Sequence, residues 1–175
     1  MKRVRAIALA YACVLAGCDG ERSDEPTVDE TAGAESGNVR ALEAGEAAIG
    51  AEWREPHGAY LVGTNARAVY LFTADRPGEA STCFDECARA WPPVFTGGEP
   101  LATDPTVREE LLGTLRRRGG RLQVTYGGWP LYFFVRDRPG DVQGHDMHGY
   151  GGEWYLVSPA GERIAGSETE RVHGP

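Results

Sequence analysis

Cys83 and Cys87 stand four residues apart in the 175-residue chain and are its clearest chemical pair. Two thiols at that spacing either close a disulfide in an oxidising compartment or bind a soft metal as thiolates. Cysteines at i and i+4 of a regular helix hold their Cβ atoms about 5–6 Å apart, wider than the ~3.5–4.5 Å of a disulfide. The bond therefore requires Cys83 at or before the helix start, where Ser81 or Thr82 supplies a cap. A second set, His145, Met147 and His148, falls sixty-two positions after the cysteines. Thiolate, thioether and imidazole suit copper, so Cys83, Cys87, His145, Met147 and His148 make a copper or redox site if their loops converge. If the loops lie apart, 145–148 is a glycine-flanked surface loop, and no cofactor is expected. Cys-x-x-Cys-His is absent, which disfavours a c-type haem.

Asp75 and Asp137 raise a third chemistry, that of paired carboxylates working as acid and base. Each begins an Asp-Arg-Pro-Gly run, however, and turn chemistry accounts for both. The carboxylate accepts backbone N–H bonds of its own turn, proline fixes φ, and glycine admits a positive φ. The chain has no G-x-S-x-G, no H-E-x-x-H and no phosphate-binding loop, so no catalytic residue is assigned. Lys2 is the only lysine, which leaves no Schiff-base chemistry once a leader is removed.

The elements that must position these residues are written twice. "YLFTADRPG" (70–78) and "YFFVRDRPG" (132–140) are sixty-two positions apart, and at that shift the halves align without a gap. Val62 meets Val124, Tyr70 meets Tyr132, Phe72 meets Phe134 and Asp75 meets Asp137, while Trp91 and Trp154 follow one residue out of step. The expected fold is mainly β (α+β): one antiparallel domain over 51–165, built from two tandem pseudo-twofold hairpin repeats at about 58–97 and 120–160. The hairpins turn at Thr64-Asn65 and at Gly127-Gly128. Tyr and Phe two apart on a strand share a face, so each pair enters the core together. Two helices are predicted. One spans about 83–90. The other spans about 105–118, where Asp104-Pro105 opens TVREELLGTLRRR and Gly119-Gly120 ends it. Trp129, at a hairpin turn, is the aromatic most expected to face a partner.

The N-terminus is of another kind. Lys2, Arg3 and Arg5 precede a short apolar stretch that ends in Leu15-Ala16-Gly17-Cys18. This resembles a signal peptide (1–17) with the lipobox of bacterial lipoproteins, which implies lipid attachment at Cys18 and a membrane partner. Asp19 resembles an inner-membrane retention signal whose meaning varies with lineage. Residues 19–50 hold nine acidic residues against two arginines, net −7, and read with Cys18 as a disordered tether. Residues 51–175 carry net −4, which argues against nucleic acid, a partner that needs a concentrated basic face. The last ten residues, 166–175, read as a loose tail.

Tyr70-Phe72-Asp75 and Tyr132-Phe134-Asp137 spell Y-x-F-x-x-D twice, with CARAWPPVF after the first copy and VTYGGWPLY and GGEWYLV around the second. In these features the chain resembles the bacterial secreted-repeat lipoproteins, predicted lipoproteins with a tandem Yx(FWY)xxD motif, over roughly 58–161. The resemblance implies an exported, lipid-anchored envelope module, on the inner membrane, the outer membrane or the cell surface. It implies no activity. An envelope protein or small ligand is the expected partner. HDMH at 145–148 is not part of the pattern.

Overall fold

The computed structural model of the protein describes residues 45–166. The leader (1–17), Cys18, most of the tether and the tail from 167 onward lie outside the described residues. Strand β1 (Ala48–Arg54) leads into β2 (Gly58–Gly63), then the short β3 (Arg67–Ala68) and β4 (Tyr70–Phe72). Helix α1 (Asp85–Ala90) follows, then β5 (Phe95–Thr96) and β6 (Leu101–Ala102). The second half contains β7 (Leu112–Arg116), β8 (Leu122–Tyr126), β9 (Trp129–Pro130), β10 (Met147–Gly149) and β11 (Gly152–Leu156). The fold is mainly β, and its strands pair antiparallel with one exception, β1 with β6.

The two halves repeat each other in bonds as well as letters. β1 pairs with β2 and β2 with β3, just as β7 pairs with β8 and β8 with β9. Each repeat is thus a three-stranded meander, and the hairpin expectation lacked its first strand. The gapless alignment also needs a correction. Val69 N donates to Leu61 O at 3.2 Å, and Leu131 N donates to Val124 O at 3.0 Å, so Leu61 and not Val62 matches Val124. The first hairpin spends three residues, Thr64–Ala66, on its turn, against the two glycines Gly127 and Gly128 of the second.

Three other boundaries move. The fold begins before residue 51, because Ala47 and Ile49 are buried and β1 already pairs with β6 at Ala48 and Ile49. The helix expected over 105–118 is not formed. Asp104 Oδ1 caps a local turn through Thr106 N (2.8 Å), Glu109–Leu111 make one 3-10 turn, and Leu112–Arg116 are β7. Charge placement favoured a helix, but Gly113 and Thr114 weaken it, and five registered pairs with β8 outweigh local propensity. Gly119 and Gly120, both with positive φ, turn the β7–β8 hairpin instead of stopping a helix. The other helix is shorter at its start, Asp85–Ala90, with Phe84 as its N-cap.

Strands that are buried on both faces divide the core in two. Leu61, Leu71, Val124, Leu131, Tyr155 and Val157 fill one cluster. Tyr60, Tyr70, Phe72, Trp91, Tyr132, Phe134, Trp154 and Cys83 belong to the other. Alternation along each motif strand does the sorting, and both Tyr-x-Phe pairs share one side as predicted.

Candidate functional site

The two motif copies meet at their tyrosines. Tyr70 N donates to Tyr132 O at 2.8 Å and Tyr132 N to Tyr70 O at 3.0 Å, which places the pseudo-twofold relation between these residues. Each side chain then crosses to the opposite copy. Tyr132 OH donates to Asp75 Oδ2 at 2.6 Å, and Tyr70 OH donates to Asp137 Oδ2. Glycines of the motif turns cross as well: Gly78 N donates to Gly128 O (2.9 Å) and Gly140 N to Ala66 O (3.2 Å). Burial and the adjacent carboxylate push both phenols well above the usual tyrosine range. Burial likewise raises the Asp137 carboxyl, against the bonds it accepts from Tyr70 and Gln143.

The carboxylates do not serve their own turns, as turn chemistry had suggested. Asp75 Oδ1 accepts from Thr82 N (2.6 Å) and Thr82 Oγ1 (2.7 Å), and Asp137 Oδ1 accepts from Gln143 N (3.0 Å). Each turn is closed by backbone alone, Asp75 N to Phe72 O and Asp137 N to Phe134 O, both 3.1 Å. The aspartates instead pin the loop after the motif and the tyrosine of the other copy.

Beside them runs a column of four stacked rings, Phe72, Trp154, Trp91 and Phe134. Centroids are separated by 4.1, 3.9 and 4.4 Å along it, and the two indoles are parallel to within 1°. Tyr70 meets Trp91 edge-on at 5.4 Å and Tyr132 meets Trp154 edge-on at 5.2 Å, so the column carries the same pseudo-symmetry. Offset and edge-to-face ring pairs add to simple burial. Gly144 passes so close that a Cβ there would lie 2.8 Å from Trp91 and 2.9 Å from Tyr70.

One Tyr–Asp pair is hydrogen-bonded onward to a buried cation, whereas at the other Arg67 donates to Phe134 O (2.7 Å) and reaches Asp137 only through its charge. Arg117 is 8% exposed, and its Nη1 donates to Ser81 Oγ and Gln123 Oε1, both at 2.7 Å, while Nη2 donates to Cys83 O. Ser81 Oγ lies 2.6 Å from Tyr132 OH. Because Tyr132 donates to Asp75 and Arg117 donates to Ser81, the serine hydroxyl donates to the tyrosine. Arginine, serine, tyrosine and aspartate thus form one polarised chain from cation to anion. Sequence reasoning missed Arg117 by reading it as the basic end of a helix. The available signal was strand alternation, which puts Arg117 inward between the exposed Arg116 and Arg118.

Cys83 and Cys87 are bonded to each other, with Cα atoms 5.3 Å apart and Cys83 ahead of the helix cap, as the spacing required. Both sulfurs are committed to that bond. Met147 packs against the aromatic cluster, and His148 Nδ1 faces Glu153 Oε1 at 3.4 Å. Among the described residues no group of three or more His, Cys, Asp or Glu is placed to hold a metal. Trp129 is half-buried against the other cluster, and among the described residues the exposed large rings are Trp53 (68%) and Tyr150 (52%).

His145 is the histidine with a structural task. Its Nδ1 accepts from Leu156 N (3.3 Å), which leaves Nε2 to donate to Ala165 O (3.2 Å). His57 stands edge-on to it at 4.7 Å and Tyr155 at 5.9 Å, and Asp146 is adjacent. Burial lowers the His145 pKa below 6.5, then the His57 charge; burial and Arg54 lower that of His57. The folded state thus disfavours protonation at both rings. Stability should be full above pH ~6.5 and decline as pH falls below it toward the lowered folded values. Urea midpoints measured between pH 8 and 5 should show that decline, and His145→Gln should flatten it.

The family model described as a secreted repeat of unknown function matches residues 54–95 and 113–158, just over half the chain. No curated protein and no solved structure matches it. The second matched segment begins within β7, the strand that had been read as helix, whereas the first begins at Arg54, the last residue of β1. With both copies of the motif at the centre of the fold, the chain belongs to the exported family of secreted repeats of unknown function.

Proposed function

We propose that the protein is a lipid-anchored envelope module that binds or scaffolds a partner and does not turn over a substrate. One observation carries this reading: the motif's polar groups are consumed internally. Each motif tyrosine hydroxyl is held by the opposite copy's aspartate, and each aspartate's second oxygen is taken by its own following loop. A general acid or base needs a face toward substrate. Asp75 (1% exposed) and Asp137 (5%) have almost none. Anchoring rests on the lipobox-like Leu15-Ala16-Gly17-Cys18, and two or more acyl chains at Cys18 make attachment stable. Exposed Trp53 is the ring best placed to meet a partner. Mass analysis should find the mature chain starting at an acylated Cys18, and Cys18→Ala should move the protein from the membrane to the soluble fraction. A Cys18→Ala protein that stayed fully membrane-bound would refute the anchor.

A further inference from the structure

Arg116, Arg117, Arg118 and Arg121 put four positive charges within six residues of a domain whose net charge is negative. Arg117 is buried and holds the β7–β8 hairpin against the loop of Ser81 and Cys83. The other three are exposed at the hairpin's tip. Arg116 donates only to its own turn, to Gly120 O at 2.7 Å. Arg118 lies 4.5 Å over the Phe84 ring and Arg121 lies 3.3 Å over Phe95. Among the described residues none of the three has a carboxylate within ion-pair distance, whereas Arg76, Arg89 and Arg108 each do. Three guanidinium groups are thus presented on one turn with no carboxylate paired to them among the described residues.

Position identifies the partner's chemistry. β5 pairs with β8 through Thr96 and Leu122, next to Arg121. Thr96 Oγ1 accepts from Ala47 N at 3.1 Å, and Gly97 N donates to Gly45 O. The basic tip is therefore one strand away from Gly45 and Ala47, the described residues nearest Cys18 along the sequence. We infer that the β7–β8 tip docks the domain on anionic lipid headgroups of the membrane that carries the anchor, an inference that rests on the lipid-anchor reading. Basic side chains near an anionic bilayer each strengthen binding severalfold, and the attraction fades within a Debye length. Anchor and tip together hold the domain in one orientation, since the second contact forms at high effective concentration.

The test uses the full mature chain with Cys18→Ser, so that no lipid contributes, and vesicles of phosphatidylglycerol in phosphatidylcholine against phosphatidylcholine alone. At millimolar accessible lipid, the range a three-arginine contact without its anchor requires, the unlipidated chain should co-sediment with the anionic vesicles only and be released at about 1 M salt, where the Debye length is about 3 Å. Replacing Arg116, Arg118 and Arg121 together by glutamine should weaken that binding on the order of a hundredfold. Arg117 is left in place, and an unchanged melting temperature would show that the variant is folded. Equal binding by the glutamine variant, or none by the parent, would overturn the inference. So would capture of inorganic polyphosphate without vesicle binding, which would point to a soluble polyanion. Detergent partition of the Cys18 protein is read separately, so loss of the anchor reading is distinguishable from loss of the docking surface.

Discussion

Trp91→Ala should destabilise the protein by about 4–5 kcal/mol, and Trp154→Ala by a similar amount. Both indoles are essentially fully buried, and each is stacked on the other and on a phenylalanine. Truncating either opens a cavity between rings held from two repeats, and the neighbouring strands are too well bonded to collapse into it. The melting temperature should fall by roughly 15 °C. The double variant should cost less than the sum, because the second truncation removes a ring that has already lost its neighbour. Trp53→Ala provides the control: at 68% exposure it should stay within about 0.5 kcal/mol of the parent. Denaturant unfolding of the four proteins checks all of this. Equal, small losses at Trp91 and Trp154 would mean that the column is not the centre of the core.

Much of that core was legible in the letters. The doubled Y-x-F-x-x-D revealed the repeat, the two-residue spacing put both rings on one face, and the four-residue spacing of the cysteines put Cys83 ahead of the helix, although Phe84 and not Ser81 or Thr82 is its N-cap. What stayed hidden were relations between the copies. A local reading joins each aspartate to its own turn, because sequence proximity is the only proximity it can use. The structure joins Asp75 to Tyr132 and Asp137 to Tyr70, across 57 and 67 positions, because the motif strands meet at their tyrosines. The helix at 105–118 failed for a related reason. Its acids and arginines satisfied a helix locally, while the pairing with β8 that decides the matter is formed only in the folded chain. Arg117 disappeared with that error, since on a helix end it is one of three solvated arginines and just past the end of β7 it faces inward.

The second large effect separates the two copies. Asp75→Ala should cost about 3–5 kcal/mol, because it strands Tyr132 OH and both Thr82 donors and leaves the buried Arg117 chain without its anion. Asp137→Ala should cost about 2–3 kcal/mol, because it strands Tyr70 OH and Gln143 N, and no cation is bonded to that chain. Symmetry of the motif alone would make the losses equal. Calorimetric melting of the two variants distinguishes these outcomes, with Asp75→Ala the lower. Arg117→Met with Asp75→Asn should recover part of the loss, since the chain's two charges are then removed together.

Double-mutant cycles on the tyrosines and aspartates test the crossed arrangement most directly. Unfolding free energies of Tyr132→Phe, Asp75→Asn and their combination should give a coupling of about 1.5–3 kcal/mol, the size of a hydrogen bond to a charged acceptor. The same-copy pair, Tyr70→Phe with Asp75→Asn, should couple by no more than about 0.5 kcal/mol. Strong coupling within a copy and none between copies would contradict the account.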